Sequence, residues 1–168
     1  MSFKVSHRGG EATMVAAVFT SEELRAMGRN DMPRAIANIL DSGAFWFVAR
    51  LVLTFVFWGA ALGKIADFPG SVAELSALRI EPAKLMAVFL IVTLLVGSLM
   101  ILLDRWLWLG CGILSGFLVV AIVLAHHFWT MQDPDRTIHF RVATEHVSLI
   151  GGFMALAIAG RLRDLRRR

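Results

Sequence analysis

Four histidines of this chain fall within one short stretch, AHHFWTMQDPDRTIHFRVATEH, which runs from Ala125 to His146. The same stretch holds three acidic residues and a tryptophan. An imidazole beside a carboxylate can pass protons near neutral pH, and histidines can also ligate a transition metal or haem. The residues best suited to chemistry therefore cluster between two long apolar segments.

Two sets of residues are predicted to form the site. Catalysis is assigned to His126, Glu145 and His146, because groups at the facing ends of two helices can exchange protons with a bound molecule. The residues expected to contact that molecule are Lys64, Trp129 and His139. In this hypothesis Lys64 holds an anionic or carbonyl oxygen, and Trp129 forms a wall of the pocket.

The cofactor is left unknown by the sequence, and a quinone headgroup suits this set better than haem or a metal ion. No HxxxH or ExxH pair lies within one predicted helix, so the usual metal signature of helical bundles is missing. We therefore predict no metal site. The alternative is that these polar groups only satisfy one another through hydrogen bonds.

Long apolar segments must position these residues. The chain has 168 residues and is 57% hydrophobic, whereas soluble domains are usually about 45–50% apolar. A helix needs roughly 20 residues to cross a bilayer, and four segments are long enough, at about 44–66, 83–103, 105–130 and 137–162. Because backbone groups in lipid must be satisfied internally, we predict an all-α, integral membrane four-helix bundle over residues 43–162.

The segments outside the bundle are polar or basic. Residues 1–42 are predicted to be a cytoplasmic lead with short interfacial helices, one at a capping box of Thr20 and Glu23 and one at Pro33. Residues 163–168 are a basic cytoplasmic tail. Lysine and arginine are most frequent in the lead, in the turn between the second and third spans and in the tail. The positive-inside rule then places both termini in the cytoplasm of a multi-pass protein of the bacterial inner membrane.

The expected partners follow from the same pattern. The net charge of +4 arises from basic residues that flank the apolar spans, and no nucleic-acid motif accompanies them. We therefore expect the lipid bilayer and other membrane protein subunits as partners, and no nucleic acid.

Two further features concern packing and loops. Six glycines, four of them in two GxxxG pairs in the first and third spans, are expected to let helices approach closely inside the bundle. These glycines are Gly59, Gly63, Gly112, Gly116, Gly151 and Gly152. The loop DFPGSVAELSALRIEPAK is predicted to hold a short helix at SVAELSAL. The alternative to a ligand-binding role for Lys64 is a pair with Asp67, three residues later.

Four segments together carry a recognisable pattern, and they read RLVLTFVFWGAALGKIADF, VGSLMILLDRWLWLGCGIL, AHHFWTMQDPDRTIHF and EHVSLIGGFMALA. They resemble the DoxX family of small bacterial membrane proteins over about residues 45–160. The resemblance implies a four-helix membrane bundle that serves as an oxidoreductase subunit. Relatives resemble the small subunit of a thiosulfate:quinone oxidoreductase, and others sit in membrane redox complexes.

Two positions bear on that role. Thr93 stands in the second span, where many members of the family carry a glutamate. Cys111 is the single cysteine, so the chain cannot perform dithiol–disulfide exchange alone. We predict a subunit of a quinone-linked membrane redox complex, and the sequence leaves open whether the chain is itself an enzyme. The alternatives are a structural or accessory membrane subunit with no active site of its own, and a small transporter.

Overall fold

The structure is a computed structural model that describes residues 32–167. Its elements are six α-helices and one 3₁₀ turn, namely α1 Arg34–Asp41, α2 Gly43–Ala66, α3 Phe68–Ala77, α4 Ala83–Leu102, α5 Leu107–Leu124, the 3₁₀ turn Phe128–Thr130 and α6 Asp135–Arg167. No strand occurs between residues 32 and 167. The prediction of an all-α fold is confirmed.

Helix α1 belongs to the first of the two units into which the chain divides, and the second unit begins at Gly43. Helix α1 begins after Pro33, whose carbonyl oxygen accepts hydrogen bonds from the amides of Ile36 and Ala37 at 2.9 and 3.1 Å. The predicted second helix of the lead therefore exists. The predicted capping box of Thr20 and Glu23 lies outside the described residues.

Four helices of the second unit, α2, α4, α5 and α6, are long and apolar enough to cross a membrane. Helix α4 packs against both α2 and α5, and α5 packs in turn against α6. The rings of Phe57 on α2 and Phe153 on α6 lie 5.4 Å apart and complete the bundle. The prediction of a four-helix membrane bundle is confirmed, and α3 is the short helix expected between the first two spans.

The helix ends differ from the predicted spans in two places. Helix α5 ends at Leu124, and the amide of His126 bonds to the carbonyls of Ala121 and Ile122 at 3.1 and 3.2 Å. The last stretch of the predicted third span is therefore a non-helical step followed by the 3₁₀ turn. Helix α6 begins at Asp135 and continues to Arg167, so most of the basic tail is helical.

The glycines that allow close packing are not the predicted ones. A Cβ atom built on Gly97 would lie 2.6 Å from Leu114, one on Gly110 would lie 2.9 Å from the carbonyl oxygen of Gly97, and one on Gly160 would lie 3.0 Å from Leu107. These three positions bring α4, α5 and α6 together.

The prediction that the six glycines named from the sequence pack inside the bundle is wrong for most of them. Within the described part of the chain, a Cβ atom would meet nothing within 4 Å at Gly59, Gly63, Gly112, Gly116 and Gly151. At Gly152 it would lie 3.3 Å from Leu53, a flexible side chain. Spacing alone fixes which glycines share a face, but it does not say whether that face meets another helix.

We expect Gly110→Val to destabilise the bundle, because its side chain would collide with the backbone of α4. Overpacking of this kind costs about 1–3 kcal/mol. Gly112→Val is the matched control, since a Cβ atom at Gly112 has open space around it. The measurement is thermal unfolding of both variants in detergent micelles, followed by the helical circular dichroism signal. Equal melting temperatures for the two variants would contradict this account of the α4–α5 contact.

A buried arginine holds the end of the bundle where α4 meets α5. Arg50 on α2 is buried, and its Nη1 donates a 2.8 Å hydrogen bond to the carbonyl oxygen of Ile101 in the last turn of α4. Its guanidinium lies 3.6 Å from Asp104, whose carboxylate also accepts a 3.0 Å bond from the indole of Trp46. A cation at a helix C-terminus satisfies carbonyl groups and the helix dipole. Arg50 therefore has a structural role in the bundle.

Candidate functional site

The opposite end of the bundle contains a cavity of about 470 Å³. Every helix of the second unit contributes to its wall. Its lining includes Lys64 of α2, Glu74 of α3, Phe89 and Thr93 of α4, Gly116, Val120 and Leu124 of α5, His126 after α5, and His146 of α6. Cavities of about 300–1,000 Å³ accommodate small molecules and cofactors, so this one is large enough for a ring-sized ligand.

The hydrogen-bonding side chains of the cavity gather at one end. Lys64 and Glu74 lie in the last turns of α2 and α3, His126 follows the end of α5, and His146 lies about three turns into α6. The lining residues farther along α4 and α5 are mostly apolar. Thr93 is the exception, and its hydroxyl is occupied by a 2.8 Å bond to the carbonyl of Phe89. The cavity thus has a polar end and an apolar remainder.

Lys64 forms its ion pair with Glu74 rather than with Asp67. Asp67 is the N-cap of α3, and its carboxylate accepts a 3.0 Å hydrogen bond from the amide of Gly70. The capped helix turns back so that Glu74 reaches the ammonium of Lys64. The Lys64 side chain is only 22% exposed, whereas that of Glu74 is 58% exposed. The expected Lys64–Asp67 pair is therefore corrected, and Glu74 is a site residue that the sequence reasoning missed.

Three of the predicted histidines converge at the polar end. The Nδ1 atoms of His126 and His139 lie 3.0 Å apart, which makes one of them the donor and the other the acceptor of a hydrogen bond. The ring centroids of His126 and His146 are 5.2 Å apart. His126 and His146 line the cavity, and His139 lies behind His126. The hairpin of α5 and α6 therefore brings these rings together, as the sequence suggests.

His146 is half-buried in the wall of the cavity. The backbone of Val142, one turn earlier in α6, lies close enough to its ring to act as a hydrogen-bond partner. Because His146 lines the cavity, its imidazole is in position to contact a polar group that binds there.

Three predicted site residues do not line the cavity, namely His139, which contacts His126 instead, Trp129 and Glu145. Trp129 is 56% exposed, does not line the cavity, and packs its ring 5.3 Å from that of Phe128. The expectation that it walls the pocket is wrong, because α5 ends before it and its backbone turns away. Glu145 is exposed and also lies outside the lining. Successive helix positions point about 100° apart, so an inward His146 directs Glu145 outward.

The chemistry available at the polar end follows from its groups. The ammonium of Lys64 can donate to a carbonyl or hydroxyl oxygen, and a neutral imidazole can donate from one nitrogen and accept at the other. Among the described residues, no group of three or more His, Cys, Asp or Glu side chains is placed to hold a metal ion. The arrangement fits recognition of an oxygen-bearing ring, with proton exchange through imidazole.

Comparison with known proteins identifies the membrane domain. The DoxX family model matches residues 45–127, which include α2, α3, α4, α5 and the cavity residues up to His126. The match ends before the EHVSLIGG segment, so it is shorter than the resemblance expected over residues 45–160. No curated protein and no solved structure matches the chain. Residues 45–127 are therefore a DoxX-family domain, in a chain with four helices that are long and apolar enough to cross a membrane.

Proposed function

We propose that this protein binds a quinone, or a closely similar small molecule, in the cavity and serves as a subunit of a membrane redox assembly. The observation that carries the proposal is the position of Lys64, His126 and His146 at one end of an otherwise apolar cavity. A quinone needs an apolar space for its ring and hydrogen-bond donors for its carbonyl oxygens. The cavity offers both.

Each residue at the polar end has a distinct role in this proposal. Lys64 donates to one oxygen of the ring, and it is held in place by its ion pair with Glu74. His126 and His146 exchange protons with the bound molecule. His139 is a positioning residue, because its hydrogen bond to Nδ1 of His126 orients that ring. Glu145 is left out of the set because its side chain is exposed and does not line the cavity.

Electron transfer is assigned to partner subunits. Cys111 is the only cysteine, so the chain has no dithiol of its own. The distribution of lysine and arginine supports an orientation with both termini in the cytoplasm of a bacterial inner membrane. In that orientation the polar end of the cavity lies near the outer face of the membrane.

The test is quinone binding by the purified full-length chain and by two variants. We expect His126→Ala to weaken binding of a tailless benzoquinone about tenfold or more. The substitution removes a hydrogen-bonding group from the cavity, namely the imidazole that His139 holds in place. His127→Ala is the control, since Nδ1 of His127 contacts the carbonyl of Leu124 and the residue does not line the cavity. Equal binding by wild type and both variants would argue against the proposal, provided that all three melt at the same temperature.

A second candidate function is that of an accessory subunit without a site of its own. The exposed carboxylate of Glu145 favours it, because no ion pair to Glu145 occurs within residues 32–167 and a carboxylate on a spanning helix is costly without a partner. A basic residue of another subunit would provide one. In this case the chain binds no quinone, and Glu145→Gln reduces the amount of native complex on non-denaturing gels without lowering the amount of folded chain.

A further inference from the structure

The apolar part of the cavity opens on the outer surface of the bundle. Phe89 is 65% exposed, Val120 is 53% exposed and Leu124 is 47% exposed, and all three line the cavity. They lie on α4 and α5, which are helices apolar enough to span a membrane. Exposed apolar surface on such helices faces lipid. The opening between them therefore leads into the hydrocarbon of the bilayer.

This opening has the form of a groove that follows the two helices away from the polar end. We call it the tail groove and define it by Phe89, Thr93, Gly116, Val120 and Leu124. From Leu124 back to Gly116 the helix rises about 12 Å, at 1.5 Å per residue. Half of a bilayer's hydrocarbon core is about 15 Å thick. The groove thus extends through most of one leaflet.

The far end of the tail groove has room because of a glycine. A Cβ atom built on Gly116 would meet nothing within 4 Å among the described residues. Opposite it, Thr93 has its hydroxyl bonded to the backbone of its own helix and offers no free polar group. A hydrocarbon chain can therefore lie along this surface without leaving a polar atom unsatisfied.

The charges at the polar end indicate which kind of head such a chain would carry. Glu74 balances the positive charge of Lys64 through their ion pair. A phosphate group would add an unbalanced negative charge there. A neutral head with carbonyl oxygens adds none.

We propose that the tail groove binds the hydrocarbon tail of a neutral lipid whose carbonyl-bearing head lies at the polar end, that this lipid enters sideways from the bilayer, and that Gly116 provides the space for the tail. The inference rests on the proposed function for the head, and it adds a separate binding surface and a residue that determines specificity for tailed ligands.

The experiment compares two ligands on the full-length chain in lipid nanodiscs, with protein-free nanodiscs as the partition blank. One ligand is a tailless benzoquinone, and the other is the same ring with a decyl chain. We expect Gly116→Leu to leave the affinity for the tailless ring within twofold and to weaken binding of the decyl compound at least tenfold. Val120→Trp, on the same groove, should act in the same direction. Gly112→Leu is the control, because Gly112 also has open space but does not line the cavity.

The outcomes separate the two proposals. If Gly116→Leu weakens both ligands equally, or weakens neither, the tail groove is overturned. If phospholipid displaces the decyl compound equally from wild type and Gly116→Leu, the groove is an ordinary lipid contact and the inference also falls. A third outcome separates the head from the tail. If wild type binds the decyl compound but not the tailless ring, and Gly116→Leu abolishes the binding of the decyl compound, the tail groove is supported and the head site of the proposed function is contradicted.

Discussion

Replacing Arg50 with methionine is expected to lower the stability of the bundle by about 2–3 kcal/mol, since hydrogen bonds to charged groups are each worth about 1.5–3 kcal/mol. The guanidinium is buried and donates to backbone carbonyls of Ile101 and Trp46, at 2.8 and 3.1 Å. Methionine fills much of the volume but leaves both carbonyls and Asp104 without this donor. For a chain of this size the melting temperature should fall by on the order of 5–10 °C.

The buried Cys111 offers a direct readout of this effect. It is 3% exposed, so a thiol-reactive fluorescent dye reports when the bundle opens. Arg105→Met is the matched control, because Arg105 is exposed in the same turn as Asp104. The melting temperature of Arg50→Lys should lie between those of wild type and Arg50→Met. Lysine keeps the positive charge but cannot donate to the carbonyls of both Ile101 and Trp46. If Arg50→Met and Arg105→Met melt together, Arg50 does not hold this end of the bundle.

Replacing Lys64 with methionine is expected to have the largest effect on ligand binding. Its side chain is 22% exposed and lines the polar end of the cavity, where a charged donor to a ring oxygen is worth about 1.5–3 kcal/mol. The affinity for a tailless benzoquinone should therefore fall roughly 10- to 150-fold, at tenfold per 1.4 kcal/mol. Stability should change little, because Glu74 is left mostly exposed to solvent.

Lys84→Met is the control for the binding measurement on Lys64→Met. Lys84 is exposed on α4 and does not line the cavity, so Lys84→Met should bind like wild type. Glu74→Gln tests the ion pair itself. It frees the ammonium of Lys64 and should strengthen binding of an anionic ring, such as a hydroxyquinone, more than that of a neutral one. An unchanged affinity in Lys64→Met would remove Lys64 from the site.

The fold could be predicted because the length and hydrophobicity of the segments determine it. Four uncharged or nearly uncharged segments of spanning length leave helices as the only solution in lipid. The short LDRW turn likewise requires α4 and α5 to be neighbours. The C-terminal end of α5 was harder to predict. The helix stops at Leu124 because the amide of His126 bonds to the carbonyls of Ala121 and Ile122, and the apolar sequence continues past that point.

The candidate site was predictable where a hairpin alone determines proximity. His126, His139 and His146 meet because α5 and α6 are joined by a short connection. Trp129 was misplaced because α5 ends before it, and Glu145 was misplaced because it lies about 100° around α6 from His146. Glu74 pairs with Lys64 because Asp67 caps α3 and the helix turns back toward α2. The ten-residue spacing between Lys64 and Glu74 does not predict this contact.

The exposed residues of the tail groove make binding depend on the concentration of the ligand in the membrane. A ligand that reaches the cavity through Phe89, Val120 and Leu124 is dissolved in the membrane before it is bound. Its effective concentration is then a mole fraction among the surrounding lipids, not a molarity in water. The same protein would be saturated in a membrane rich in such a ligand and empty in one diluted with phospholipid, even when the aqueous solution is identical. The lipid composition of the host membrane thus becomes a direct control on the occupancy of the site.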